Sequence, residues 1–433
     1  MREGASALKR RVVGAWARTF RSLHQRNYRA YFVGQAFSVV GTWMQRIGQD
    51  WLVLQITDSP LALGVSLLCQ FLPMLVGGVW AGVVIDRVDT RRLILLTQAV
   101  QALLAAGLAV LALTGTVTLL AVYALALGLG IVSTFDVPAR HAFVPELVGD
   151  DDIVNAQALN SLVNNVGRLL GPAVAGLLIV VAGVGVTFVA NAVSFAAVLI
   201  GLLVMDTSAL RRASVVARAP GQARAGLQYV WRQQQLRAVL VLVALASVFG
   251  QNFRVVFPLL AADVFSGGPD VYGLLTAVMG LGAVAGGLVV ASAVHTSSRL
   301  LVVVYVLFSV TNIVLGVAPT LAVAIGVVLV LGATNIAVNS VARSLMQVDT
   351  APGMRGRVMA IYSLVFLGGT PIGGPLLGLL CEVLGVRTAQ ALSGVVCLAG
   401  TAIVAPRLCR RGADPVTKSM VDAEGSATAD GDK

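Results

Sequence analysis

Two stretches of the chain, residues 93–135 and 300–342, contain no charged side chain. Each is about twice the length of an apolar helix that crosses a bilayer, which needs about 20 residues. Each stretch therefore predicts two membrane-spanning helices joined by a turn, at Gly115 in the first and at Pro319 in the second. Together with 57% hydrophobic and only 12% charged residues, this pattern excludes a soluble protein.

Other apolar stretches bring the predicted number of membrane spans to twelve. We place them at residues 30–56, 60–84, 93–113, 117–137, 157–181, 186–206, 238–262, 271–294, 299–317, 320–342, 358–381 and 388–406. The longest polar interior segment, residues 207–237, divides them into two sets of six. The predicted fold class is an all-α membrane protein with twelve transmembrane helices arranged as two six-helix repeats.

This division predicts five segments along the chain. They are a basic leader at 1–29, an N-terminal six-helix half at 30–206, a cytoplasmic central loop at 207–237, a C-terminal half at 238–406 and a disordered tail at 407–433. The leader has apolar residues at helical spacing, so it is either an amphipathic helix on the inner leaflet or an unstructured basic segment. The sequence AGLQYVWRQQQLRAV in the central loop indicates an interfacial helix.

The positions of Lys and Arg predict the orientation. With a cytoplasmic N-terminus, most of the 31 Lys and Arg residues fall in cytoplasmic segments and only Arg387 falls in an outer loop. Since cytoplasmic loops hold an excess of both residues, we predict a multi-pass protein of the cell (plasma or inner) membrane with both termini cytoplasmic. The net charge of +11 then reflects topology. The bilayer is the expected partner, and nucleic acid is not.

The two halves also share a sequence pattern. PAR at 138–140 and VAR at 341–343 are each followed, at equal spacing, by Gly-Pro at 171–172 and 374–375. Duplicated bundles of this kind are typical of transporters whose site lies between the repeats near the membrane midplane.

Several chemistries are excluded by what the sequence lacks. Neither a Gly-Lys pair of an ATP-binding loop nor an H-E-x-x-H zinc motif occurs, and the four cysteines lack metal-ligand spacing. We therefore predict no enzyme, no cofactor and no metal site. As a separate expectation, the protein is a monomer.

The turn between the second and third spans, GVVIDRVDTRRLI at 82–94, resembles motif A of the major facilitator superfamily, G-x-x-x-D-R-x-G-R-R. Asp89 and Thr90 depart from that motif. The resemblance implies that Asp86 faces the start of the eleventh span near Arg357-Val358, that Arg91 reaches Asp136, and that these contacts close an inner gate. The residues of this inner-gate set are Gly82, Asp86, Arg87, Arg91 and Asp136.

The fifth span resembles motif C, the G-x-x-x-G-P-x-x-G-G pattern of the superfamily's exporters. Its matching residues are Gly167, Gly171, Pro172 and Gly176. The alternative is that this pattern serves helix packing alone, because small residues at four-residue spacing pack membrane helices of many kinds.

Longer segments are similar to the transmembrane secretion effector branch of the superfamily, which includes enterobactin exporters. They are GTWMQRIGQDWLVLQITDSPLALG at 41–64, FDVPARHAFVPELV at 135–148, GRLLGPAVAGLL at 167–178 and RGRVMAIYSLVFLGGTPIGGPLLG at 355–378. The resemblance implies a twelve-helix facilitator fold and proton-driven export of a siderophore-like, drug-like or other amphipathic small molecule. The alternatives are an uptake or facilitated-diffusion carrier, and a non-transporting membrane sensor or assembly protein.

Charged residues within the spans indicate functional positions, since burying them in a membrane is costly. Asp50 lies one helical turn after Arg46. We expect Asp50 to bind and release a coupling proton beside Arg46; the alternative is a pair that only locks helix packing. A central cavity for an anionic or aromatic solute is predicted from polar and aromatic residues of three spans, with Arg168 either a substrate contact or a partner for an acidic residue. The cavity set is Trp43, Gln45, Gln49, Arg168, Gln251, Asn252, Phe253 and Arg254.

Overall fold

The computed structural model describes residues 20–210, 222–292 and 296–409, which form helices and the turns between them. Six long helices make the first half. They are α1 Arg26–Thr57, α2 Pro60–Ile85, α3 Thr90–Leu113, α4 Leu119–Val148, α5 Ile153–Ala182 and α6 Val184–Leu203.

The second half begins with a short helix in the central loop and continues with seven helical elements. They are α7 Gln222–Arg232, α8 Gln234–Leu245, α9 Phe253–Leu259, α10 Pro269–Ser292, α11 Ser298–Gly316, α12 Leu321–Val348, α13 Arg355–Leu384 and α14 Val386–Cys409. α8 and α9 are two parts of one membrane span.

Twelve helical spans are present in the described chain. Eleven are long and apolar enough to cross a membrane. The remaining one, α1, has 32 residues and buries polar side chains such as Gln35, Gln45 and Asp50. Because α1 packs along its length against α5 and α6, these side chains meet other helices rather than lipid. The predicted all-α class with two six-helix repeats is confirmed.

Several helices extend beyond the predicted spans. α4 and α12 continue to Val148 and Val348, past the charged residues that mark the predicted ends, because a helix can leave the membrane without breaking its backbone hydrogen bonds. α14 reaches Cys409, so the first residues of the predicted tail are helical. Most of the predicted leader (1–19), part of the central loop (211–221) and the rest of the tail (410–433) lie outside the described residues.

The seventh span is broken at its centre. α8 ends in a π-helical turn at Ala246–Gly250, and α9 starts at Phe253 after a non-helical Gln251. The side chain of Asn252 donates hydrogen bonds to the carbonyl oxygens of Ser247 (3.2 Å) and Val248 (2.7 Å). These bonds satisfy backbone groups that the break would otherwise leave unpaired inside the membrane.

The halves meet along two helix pairs, α2 with α13 and α5 with α10. An added Cβ on Gly64 would lie 2.4 Å from the carbonyl oxygen of Gly374, and one on Gly273 would lie 2.5 Å from the carbonyl oxygen of Pro172. The repeated Gly-Pro pairs of the sequence therefore lie at equivalent crossings between the halves. Only glycine allows the two backbones to approach this closely.

These crossings lie toward one end of the bundle. We call the end where α1 ends and α2 begins the distal end, and the end where α1 begins and α6 ends the terminal end. At the distal end the hydroxyl of Ser59 donates to Glu382 in the other half at 3.0 Å. Toward the terminal end, Trp80 on α2 is 65% exposed and Val154 on α5 is 81% exposed. Since the close contacts between the halves lie toward the distal end, we interpret the bundle as closed there and open between the halves at the terminal end.

We predict that Gly273→Ala weakens the distal closure. The new methyl group would collide with the backbone at Pro172, and overpacking of this kind costs about 1–3 kcal/mol. The expected result is a lower melting temperature and slower bridging of a Ser59→Cys/Glu382→Cys pair by a short bifunctional thiol reagent in a background without native cysteines. Gly326→Ala is the matched control, because a Cβ there meets no atom within 4 Å. If Gly273→Ala and Gly326→Ala had equal effects, the close backbone contact of Gly273 with Pro172 would not contribute to the distal closure.

Candidate functional site

An ion pair inside the membrane region joins the two halves. Asp50 on α1 has a side chain only 1% exposed. It accepts two hydrogen bonds from Arg254 on α9, from Nε to Oδ2 at 2.8 Å and from Nη2 to Oδ1 at 2.7 Å. This two-point geometry is the strongest form of an arginine–carboxylate contact.

Two further side chains complete this cluster. The hydroxyl of Tyr272 on α10 donates to Oδ2 of Asp50 at 2.7 Å. Arg254 donates through Nη1 to Oε1 of Gln70 on α2 at 2.6 Å. Asp50 and Gln70 belong to the first half, whereas Arg254 and Tyr272 belong to the second. The cluster therefore joins the two halves across their interface.

The sequence suggested Arg46 as the charged neighbour of Asp50, but the structure pairs Asp50 with Arg254. An arginine four residues before an acid on one helix is the weaker orientation for an ion pair. Arg254 approaches from the facing half at the break in its span and can use both guanidinium donors. Tyr272 and Gln70 carried no motif or spacing in the sequence that could have identified them.

The predicted glutamines of α1 lie in the packing between helices of the first half. Gln49 donates to the hydroxyl of Ser66 at 3.0 Å, and Gln45 accepts a hydrogen bond from Asn191. Both glutamines are buried. The structure does not bring them together with Arg254, because each is used within its own half.

The predicted residues at the break of the seventh span also bond within their own half. Gln251 donates to Asn339 at 3.4 Å. Phe253 is buried with its ring centroid 5.3 Å from that of Phe257. Asn252 caps the broken helix as described above. These residues shape the break that presents Arg254 to Asp50.

Trp43, Arg46 and Arg168 form a separate group on the first half. The guanidinium carbon of Arg46 lies 4.6 Å from the Trp43 ring centroid, and that of Arg168 lies 5.4 Å from it. Arg168 is exposed, and Trp43 and Arg46 are half-buried. The sequence predicted all three residues as functional but gave no reason for two cations to share one ring.

The motif C residues bring α5 against α1 and α10. An added Cβ would lie 2.4 Å from Val39 Cγ1 at Gly167, and 2.5 Å from Trp43 Cβ at Gly171. At Gly176 it would lie 2.8 Å from the carbonyl oxygen of Pro269 in the other half. Gly167 and Gly171 therefore set the distance between α1 and α5, while Pro172 and Gly176 lie at the crossing between the halves.

The motif A turn lies at the terminal end, where Asp86 and Arg87 are exposed. The carbonyl oxygen of Gly82 accepts from the backbone N–H of Asp86 at 3.2 Å. The two departures from the motif have structural roles. Asp89 caps α3 by accepting from the backbone N–H of Arg92 at 2.9 Å, and Thr90 donates to Glu146 at 2.8 Å.

The expected contacts of this turn differ from those in the structure. Arg91 donates to the carbonyl oxygen of Leu202 at the end of α6, at 3.0 and 2.7 Å, and not to Asp136. A cation is favourable at a helix C-terminus. Asp136 instead pairs with Arg140 one turn along α4 at 2.5 Å. It also accepts hydrogen bonds from Thr97 (2.7 Å) and Gln98 (2.9 Å).

The start of α13, where Asp86 was expected, is occupied by the second half's own residues. Arg355 donates to the carbonyl oxygen of Thr350 at 3.3 Å, and an added Cβ on Gly226 of α7 would lie 3.0 Å from Arg357 Cβ. Asp86 itself is exposed.

Comparisons with known proteins agree over most of the chain. The sequence profile of the family described as transmembrane secretion effector matches residues 17–420. The chain is 28% identical to the staphyloferrin A transporter of Staphylococcus aureus over 272 residues, which is 60% of this chain and 66% of that relative. It is 26% identical to the enterobactin exporter EntS of Citrobacter koseri over 370 residues, 85% of this chain and 88% of that relative.

The fold is also similar to that of solved transporters. The crystal structure of a POT family transporter, in complex with a thioalcohol-conjugated peptide, superposes with a TM-score of 0.72. The match covers 89% of this chain and 97% of that chain at 12% sequence identity. At this identity the likeness concerns the fold.

We predict strong energetic coupling between Asp50 and Arg254. Asp50→Asn or Arg254→Gln alone leaves a buried charge without its partner, which costs about 3–5 kcal/mol. The double variant leaves no unpaired charge, so its loss in the free energy of unfolding should be well below the sum of the single losses. Denaturant unfolding of the purified protein measures this, with Asp58→Asn, at an exposed position at the end of α1, as control. Additive losses would contradict the coupling.

Proposed function

The chain belongs to the transmembrane secretion effector family of the major facilitator superfamily, and on that premise we propose that it is a secondary active exporter. The proposed solute is a small amphipathic molecule of the siderophore-like or drug-like kind. The names of the two relatives, a transporter of staphyloferrin A and an exporter of enterobactin, support this class. The observation that carries the proposal is the ion pair of Asp50 with Arg254, which joins the halves at the end that is closed.

The proposed mechanism is alternating access by rocking of the two halves. The solute enters from the open terminal end and leaves when the distal end opens. The seams at Gly64 and Gly273 act as the surfaces on which the halves separate. Since each chain contains both halves and the site between them, one chain suffices for a complete cycle.

We propose that Asp50 carries the coupling proton. In the distal-closed form it is charged and paired with Arg254. Opening of the distal end withdraws Arg254 and leaves the carboxylate unpaired in the membrane, which is costly. A proton taken from the distal side removes that cost, and the return of Arg254 displaces the proton. Arg46, one turn away on α1, is a second cation that favours release.

The proposed orientation places the terminal end in the cytoplasm of a bacterial inner membrane. The basic residues of the turns and termini support it, because cytoplasmic segments hold an excess of Lys and Arg. In this orientation the open end loads solute from the cytoplasm, as export requires.

We also propose that the motif A turn is a latch for the opposite state. When the terminal end closes, Asp86 reaches the start of α13 and is stabilised there as an anion at a helix N-terminus. Such a contact contributes about 0.3–1 kcal/mol. It is absent while the terminal end is open, and it therefore biases the equilibrium between the two states.

The test of proton coupling uses proteoliposomes and enterobactin as the solute. A pH difference of about one unit corresponds to about 1.4 kcal/mol per proton and supports about tenfold accumulation in one-for-one exchange. We expect the natural protein to accumulate enterobactin against its gradient. Asp50→Asn/Arg254→Gln should exchange enterobactin at equal pH but fail to accumulate it.

The matched control is Asp58→Asn at the end of the same helix. Asp58 is exposed and has a left-handed backbone, which asparagine also adopts readily. Full pH-driven accumulation by the double variant would refute Asp50 as the proton carrier. Accumulation of enterobactin in the same direction as the proton flow would indicate an uptake carrier. Absence of enterobactin exchange by the natural protein would favour a non-transporting sensor or assembly role.

We predict that Asp86→Asn shifts the protein toward the terminal-open state. Loss of about 0.3–1 kcal/mol changes the ratio of the two states about two- to fivefold. The measurement is the labelling rate of Asn164→Cys, which lies one turn before Arg168 on α5, by a membrane-impermeant maleimide in a background without native cysteines. Asp89→Asn is the control, because it removes a charge from the same turn and keeps the helix cap. An unchanged rate in Asp86→Asn would refute the latch.

A further inference from the structure

Two positively charged side chains share one aromatic ring in the first half. Arg46 on α1 and Arg168 on α5 lie 4.6 and 5.4 Å from the ring centroid of Trp43. One cation over an indole is a favourable contact. The second cation brings like-charge repulsion into the same place, so packing alone does not explain the pair.

Neither arginine has a carboxylate partner in the part of the chain that the structure describes. The ion pairs recorded there are those of Arg21, Arg140 and Arg254. Asp50 lies one turn from Arg46, but Arg254 and Tyr272 already donate to both of its oxygens. The Nε atom of Arg46 is buried without a hydrogen-bond partner. Since arginine stays charged in proteins, this corner of the molecule has an uncompensated positive charge.

The motif C glycines create this arrangement. Gly171 lies against Trp43 so closely that a Cβ there would be 2.5 Å from Trp43 Cβ. The close approach of α5 to α1 brings Arg168, three residues earlier, over the same ring as Arg46. The glycine pattern that resembles an exporter motif therefore positions a cation pair.

The cation pair lies between the Asp50–Arg254 ion pair and the terminal end of the bundle. Arg168 is exposed. The group lies one helical turn on the terminal side of the Asp50–Arg254 ion pair, which closes the distal end. A solute entering between the halves from the terminal end meets these arginines before it meets the closed gate.

We propose that Arg46, Arg168 and Trp43 form a carboxylate-binding subsite, and that the exported solute bears a carboxylate next to a flat apolar or aromatic part. The guanidinium groups bind the carboxylate oxygens, and the indole packs against the flat part. The inference rests on the proposed export function and names its substrate class as organic acids. Arg254 is excluded from this role while its donors are held by Asp50 and Gln70.

The test compares benzoate with benzamide, which has the same shape but no charge. The full chain is placed in nanodiscs of phosphatidylcholine, so that no anionic lipid headgroup is present. Binding is followed by tryptophan fluorescence and by the melting temperature at constant ionic strength. We expect benzoate to bind at least about tenfold more tightly than benzamide, since a charge-assisted contact has about that effect.

The variants are Arg46→Gln, Arg168→Gln and the double variant, with Arg46→Lys/Arg168→Lys keeping the charge. Each glutamine variant should weaken benzoate binding about tenfold and leave benzamide unchanged, while the lysine variant keeps the preference for benzoate. Arg299→Gln, at an exposed position on α11, is the control. If the lysine variant folds and still prefers benzoate, the weaker binding of the glutamine variants results from loss of charge and not from loss of structure.

Two outcomes would overturn the subsite: equal binding of benzoate and benzamide by the natural protein, or unchanged benzoate binding by the double glutamine variant. Enterobactin exchange, measured in proteoliposomes of the same proteins, separates this failure from failure of export. If the natural protein exchanges enterobactin but binds benzoate and benzamide equally, the subsite is refuted and the export function is not. Charge-dependent benzoate binding without enterobactin exchange supports the subsite and refutes the proposed export of enterobactin.

Discussion

The ion pair of Asp50 with Arg254 is the interaction on which the arrangement of the two halves depends. A charge inside a membrane is tolerated only when it is paired or faces water. Here each charge lies in a different half, so neither half satisfies its own charge. In the cycle that we propose, the cost of separating the pair is a cost of opening the distal end. A proton can lower that cost, and the proposed coupling rests on this effect.

The break in the seventh span is what makes this ion pair possible. A continuous helix would fix Arg254 in register with its own neighbours. The π-helical turn and the side-chain cap of Asn252 allow the chain to change direction without unpaired backbone groups. A polar, interrupted helix at the interface thus serves both structure and function. α1 is a similar case, because its polar face packs against other helices and would be unstable against lipid.

The glycine residues have two distinct functions in the bundle. Gly64 and Gly273 allow the backbones of opposite halves to touch, and they are equivalent positions of the repeat. Gly167 and Gly171 act within the first half, where they bring Arg168 to the ring that Arg46 already covers. A single motif in α5 therefore contributes to the seam between the halves and to a positively charged surface beside it.

The sequence by itself determined the fold class, the number of spans and the duplication, because uncharged length and repeated Gly-Pro pairs are properties of the chain alone. It also identified Asp50, Arg46, Arg168 and Arg254 as charges that need an explanation. It did not identify their partners. Contacts such as Arg254 with Asp50 and Arg91 with Leu202 join residues far apart in the chain. Only the tertiary structure decided them, because a partner is selected by the distance and direction between two helices, which no local pattern specifies.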